Sequence, residues 1–199
     1  MSHYPKIWRL NIELSPQWHS FLSAQAEKLT APHIVQRPWH WQGLHNPWSR
    51  AASLYDAWGF LDLCSDSTLL ATVTGLIGAD VILFDSFWFG DPWQLMGERP
   101  FEEPVFFPIR PCQGVTVTLP LPKPVSNGPQ GFAARYFPAS AHYIRDPEDP
   151  AQKALMERLP LYNAATAPLW LVSGVDRAAN DFVTGFNPRP VFWSEAPGI

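Results

Sequence analysis

Charge is scarce in this chain. Asp, Glu, Lys and Arg make up 16% of its 199 residues, against about 25% in typical domains. The 14 basic residues are outnumbered by 18 acidic ones, for a net charge of −4. Lys and Arg do not cluster, so the electrostatic footprint of a nucleic-acid binder is absent and polyanion binding is not expected. Cysteine is scarcer still: Cys64 and Cys112 share no spacing motif, which excludes a disulfide framework and leaves two reduced, structural thiols as the expectation. No window reaches the roughly 18 apolar residues of a membrane span. The opening MSHYPKIWRLNIEL lacks the apolar stretch of an export signal, so a cytoplasmic protein with no membrane contact is expected. Gly-x-Ser-x-Gly, Cys-x-x-Cys, the phosphate-binding loop and the dinucleotide fingerprint are all missing.

Proline and tryptophan are plentiful instead, at 22 and 10 residues. The prolines are spread singly between apolar runs, a pattern of ordered loops rather than of a linker. Trp39, Trp41 and Trp48 fall close together in RPWHWQGLHNPW. They either pack in the core or share a surface or cavity. With 46% hydrophobic residues the chain can bury a sizeable core, and one domain over 1–199 is expected.

The first 79 residues read as mostly helical support. Ser15-Pro16 is an N-cap followed by proline at the first helical position, with Trp18, Phe21, Leu22 and Leu29 on one face. Helical patterning returns in SRAASLYDAWGFLDLC and in DSTLLATVTGLIG, which ends at Gly78. From Val81 the period changes. VILFDSFWF, GVTVTLPL, GFAARYF, LWLVS and RPVFW are short runs rich in β-branched and aromatic residues. Ser126-Asn127-Gly128 predicts a hairpin turn between two of them. Asp149-Pro150 opens one later helix, over AQKALMERL. Helices come first and a β-sandwich or barrel over 80–199 follows.

This order resembles the phytanoyl-CoA dioxygenase family of iron(II)- and 2-oxoglutarate-dependent oxygenases, on three stretches covering roughly residues 50–193. LLATVTGLIGADVILFDSFWF is similar to the family's helix, turn and first barrel strand. GVTVTLPLPKPVSNGPQGFAARYFPASAH is similar to its strand, turn and Pro-Gly-Ser-His segment, and LWLVSGVDRAANDFVTGFNPRPVF to its closing strands. The resemblance implies a mainly β fold with N-terminal helices: a double-stranded β-helix, the jelly-roll or cupin-like barrel. It also implies that His142 ends a barrel strand and is structural or rim polar rather than a ligand.

Iron in that family is held by His-x-Asp or His-x-Glu and a later His, on one face of the metal. Here the alignment places Phe101 and Glu103 at the first pair, and residues 171–173 at the second histidine. None of the six histidines has a carboxylate two residues on. The expectation is a barrel that has lost its usual iron ligands, uses no cofactor, and binds a small apolar or aromatic molecule as a non-oxidative biosynthetic enzyme or a binding protein. Glu103, Arg135 and Arg189 are the expected polar groups of its mouth, with Phe101 and Trp88 in the apolar lining. The resemblance implies that Arg189 stands for the family's arginine that holds the oxoglutarate carboxylate; the alternative is a surface or salt-bridging arginine. Arg135 alternates with Ala133 and Phe137 onto one face of its strand, either inward against Glu103 or a ligand carboxylate, or outward to solvent. Two rival readings remain: an active Fe(II)/2-oxoglutarate dioxygenase that recruits His40 or His45, and a non-catalytic partner or homodimer that buries a Trp-rich face.

Overall fold

A computed structural model describes residues 6–13, 15–35, 38–49, 52–90, 108–125, 128–158 and 164–182. Helix α1 (Pro16–Leu29) begins where Ser15 and Pro16 predict, and Trp18 Nε1 donates to Asp66 Oδ2 at 2.9 Å, tying it to the start of a later helix. The predicted helix over 49–64 forms only as α2 (Ala57–Cys64), capped by Asp56. Gly59 in α2 is where the ring of Phe21 crosses; a Cβ there would lie 2.6 Å from Phe21 Cε2. Asp66 caps α3 (Ser67–Ile77) through the backbone N–H groups of Thr68 and Leu69. Gly78, at φ +97, ends that helix and turns the chain into β2.

Strand β2 (Val81–Gly90) starts at the expected change of period. It is followed by β3 (Ile109–Arg110), β4 (Gln113–Pro120), β5 (Pro129–Pro138), β6 (His142–Tyr143), α4 (Pro150–Arg158) and β7 (Trp170–Ser173). Strands β4 and β5 form the predicted antiparallel hairpin, though Ser126 and Asn127 lie outside the described residues. The first 79 residues, expected to be mostly helical, also contain β1 (Lys6–Asn11), which pairs in parallel with β4. Its alternation is too short to separate from a loop in sequence, and the pairing exists only because β4 offers an edge.

The described strands make one mixed sheet of order β1-β4-β5-β2-β7 and a two-stranded ribbon of β3 and β6. They form an open sheet rather than a closed barrel. Its helical face carries Leu83, Trp88, Val115, Val117, Phe132 and Tyr136, and α2 and α3 cover it: Phe60 stacks on Phe132 at 5.2 Å and meets Trp88 edge-on at 5.5 Å. Tyr136 Oη donates to the carbonyl of Cys64 at 3.0 Å. Both cysteines are free thiols, and Cys64 is buried. No single helix among the described residues is long and apolar enough to cross a membrane.

Beyond β6, Arg145 fastens the loops of the other end. Its guanidinium donates to the carbonyls of Ala165 at 2.7 Å, Ala167 at 2.9 Å and Asp181 at 3.0 Å, and lies over the Tyr143 ring. Arg145→Met should therefore cost about 2 kcal/mol by stripping three carbonyls of a charged donor. Urea melts would read this, and an unchanged midpoint would show the clamp to be redundant.

Candidate functional site

A polar rung crosses the sheet face turned away from the helices. It starts in β2, whose apolar run VILFDSFWF carries one acid at its centre. Phe84 is an extra residue in the β2–β5 register: Leu83 pairs with Tyr136, yet Asp85 pairs with Arg135. The bulge inverts the facing of every later residue of β2. Asp85 and Phe87 consequently share a face with Arg135 and Ala133, and Ser86 and Trp88 go to the helical side. Arg135 in turn pairs with Thr116 of β4, and Thr116 with Arg9 of β1. Arg9, Thr116, Arg135 and Asp85 thus lie in one line, about 14 Å across four strands.

The rung runs from buried to exposed. Asp85 and Arg135 are 3% and 4% exposed, Thr116 is buried, and Arg9 is exposed at the β1 edge. Arg135 Nη1 lies 3.6 Å from Asp85 Oδ2, and its guanidinium carbon sits 4.8 Å from the Phe87 ring centroid. Two guanidiniums and one carboxylate give the rung a net charge of +1 in a protein of net charge −4. Phe87 and Ala133 beside it are fully buried yet stand apart from the contiguous hydrophobic core. Farther along the same face, Phe84 and Phe137 pack with Tyr143 from the ribbon, at 5.9 and 6.0 Å. Burial raises the Tyr143 phenol above its ordinary range, so it stays protonated.

Of the two facings the sequence leaves open for Arg135, the structure has the inward, buried one, on the same face as Ala133. The carboxylate beside Arg135 is Asp85. Glu103, Phe101 and Arg189 lie outside the described residues. The grouping of Trp88 with Arg135 is corrected, because the Phe84 bulge sends Trp88 to the helical side against Phe60. A lone Asp within an apolar strand was the available signal for Asp85, since a buried carboxylate demands a partner. His142 is exposed on β6, in keeping with a rim position.

The helical face of β2 holds a second polar contact. His45 is 1% exposed, its backbone N–H donates to Ser86 Oγ at 3.0 Å, and its Nδ1 lies 2.7 Å from the same oxygen. Ser86 Oγ accepts the amide proton and shares a second hydrogen bond with Nδ1, whose direction follows the ring tautomer. Burial lowers the His45 pKa to about 3 and keeps the ring neutral. His45 and Asp85 do not form an iron site together, because Asp85, the one buried carboxylate among the described residues, points to the opposite face of the sheet. No group of three His, Cys, Asp or Glu side chains that could hold a metal ion occurs among the described residues. Leu171 and Val172, at the aligned second-histidine position, are an aliphatic pair on β7.

The tryptophans of the connector separate. Trp41 is buried in the core, whereas Trp48 is 54% exposed. Comparison with protein-family models, with curated proteins and with solved structures returned no match to this chain.

Proposed function

We propose that this protein is a jelly-roll relative of the phytanoyl-CoA dioxygenase type that works without an iron site, binding a small apolar or aromatic molecule that carries an anionic group. The observation that supports this reading most is the rung of Arg9, Thr116, Arg135 and Asp85. A net positive line of side chains on a partly apolar, aromatic sheet face suits a carboxylate at one end of a hydrophobic body. Retaining a buried ion pair in the middle of a strand is costly, which favours a role for it beyond stability. The anion would enter from the β1 edge and meet exposed Arg9 and then the Thr116 hydroxyl, and its apolar part would reach Phe87 and Ala133 only by displacing the side chains that bury them. A binding protein or a non-oxidative biosynthetic enzyme both fit this use of the face.

Titration with phenylpyruvate and cinnamate, read by thermal shift and calorimetry, tests the reading. At least one of these aromatic carboxylates should raise the melting temperature of the wild type, and added salt should weaken the effect. Arg9→Ala should weaken binding roughly 3- to 10-fold, the worth of one charge-assisted hydrogen bond partly in water. Because Arg9 is exposed, the ligand-free melting point should hardly move. Absence of any stabilisation would overturn the proposal. So would stoichiometric iron with oxygen-dependent succinate release from 2-oxoglutarate, which would instead establish the dioxygenase reading.

A further inference from the structure

Three tryptophans from distant parts of the chain meet at the β7 end of the sheet, on the helical side. Trp48 comes from the connector, Trp58 from the first turn of α2 and Trp170 from the start of β7. Trp48 stacks on Trp170 with centroids 5.4 Å apart and an interplanar angle of 10°. Trp58 meets Trp48 at 6.0 Å and Trp170 at 6.2 Å, both edge-on. The cluster is rigid: Asn46 Oδ1 accepts from the Trp48 backbone N–H at 3.0 Å, and each ring buttresses the other two. It is also open to solvent, since Trp48 and Trp58 are 54% and 56% exposed. Exposed indoles grouped and pre-organised in this way mark an interaction surface rather than core packing, because ordering them costs a partner nothing further.

The surrounding charge identifies the kind of partner. Residues 52–80 contain Asp56, Asp62, Asp66 and Asp80 and no Lys, Arg or His. Asp56 and Asp66 cap helices, and Asp80 is paired with Arg177, so Asp62 is the carboxylate that bears on the cluster. Asp62 is exposed one turn beyond Trp58 on α2, on the same helical stripe. An indole face attracts a cation, and a carboxylate one helical turn away attracts the same cation. Arginine meets both demands best, since its planar guanidinium stacks on the ring and still pairs at its edge.

We propose that Trp48, Trp58 and Trp170 form a docking surface for an arginine-bearing apolar segment of a partner protein. An acidic partner or an anionic membrane is disfavoured by the Asp62 carboxylate one turn from Trp58. The surface is independent of the anion-binding rung, which lies on the other face of the sheet and opens toward the opposite edge, so either proposal can fail alone.

The test uses an amphipathic arginine–leucine peptide as the probe, with its lysine–leucine and glutamate–leucine counterparts, read by tryptophan emission and calorimetry. The arginine peptide should bind best, the lysine peptide more weakly and the glutamate peptide not measurably, with affinity falling as salt rises. Trp58→Ala should weaken binding about 10-fold or more, as for an aromatic hot spot. Asp62→Asn should weaken it about 2- to 5-fold, the worth of one exposed charge pair. Asp62→Asn leaves the fold untouched, so it keeps the test valid should the tryptophan variant unfold. In the unliganded wild type, caesium should quench the exposed indoles more than iodide. Failure of the arginine peptide to bind would overturn the proposal. Equal binding of the glutamate peptide would overturn it as well. So would binding only to phosphatidylcholine vesicles, or a wild-type dimer that Trp48→Ala dissociates, either of which would assign the surface to a lipid or to a second copy.

Discussion

Replacing Arg135 by Met is expected to lower stability by about 3–5 kcal/mol, because the substitution leaves Asp85 buried without its guanidinium. In a chain of this size that is a fall of roughly 10 °C or more in melting temperature. Asp85→Leu alone should be comparably damaging, stranding the arginine instead. The double variant Asp85→Leu, Arg135→Met should recover most of the loss, since two apolar side chains of similar volume then replace two charges that had to be desolvated. The double-mutant cycle should give a coupling of more than about 1 kcal/mol, as for residues in direct contact. The 3.6 Å separation of Arg135 Nη1 and Asp85 Oδ2, with both side chains shielded from solvent, is the basis of this expectation. A melting point that scarcely moves in Arg135→Met, together with loss of carboxylate binding, would contradict it and make Arg135 a ligand anchor rather than half of a structural pair.

Acid should destabilise the protein well before its carboxylates titrate, and His45 is the reason. In the unfolded chain its imidazole has an ordinary pKa near 6.5; in the fold, burial brings it down to about 3. Above about pH 6.5 neither state binds the proton, and His45 adds no pH dependence. Below that, the unfolded chain takes up a proton that the folded one refuses. Stability should then fall by about 1.4 kcal/mol per pH unit, reaching about 2–3 kcal/mol by pH 4.5. Asp66 and Asp80 have carboxyls held below their usual range, by hydrogen bonds from Trp18 and backbone amides in one case and mainly from Arg177 in the other. They lose their contribution only at still lower pH. Urea unfolding at pH 7, 5.5 and 4.5 reads the slope. His45→Asn keeps a polar group within reach of Ser86 Oγ but cannot take up the proton, so its stability should be nearly flat over that range. An equally steep decline in His45→Asn would assign the acid sensitivity to another group.

Much of the local structure was legible because it is enforced over a few residues. Ser15-Pro16, Asp66 and Asp149-Pro150 start helices through backbone groups within one turn, and the change to β-branched and aromatic residues at Val81 opens a strand. That Arg135 shares a face with Ala133 and Phe137 was also readable, because β5 alternates without interruption from Phe132 to Phe137, but which face is buried was not. Other features depended on partners far away in sequence. The short KIWRLN run becomes a strand only by pairing in parallel with β4. The Phe84 bulge, which no local pattern announces, reverses half of β2, so it decided that Arg135 meets Asp85 and that Trp88 faces the helices. Trp41 and Trp48 look equivalent in RPWHWQGLHNPW. One lies in the core, and the other meets Trp58 and Trp170 at the surface, because the turn at Gly43 and the packing of α2 on the sheet separate them. Composition and short-range periodicity determined which elements form, since those choices are made within a turn or a pleat. Which side chains meet across elements was decided by register and packing, where a one-residue slip moves a charge from one face of the sheet to the other.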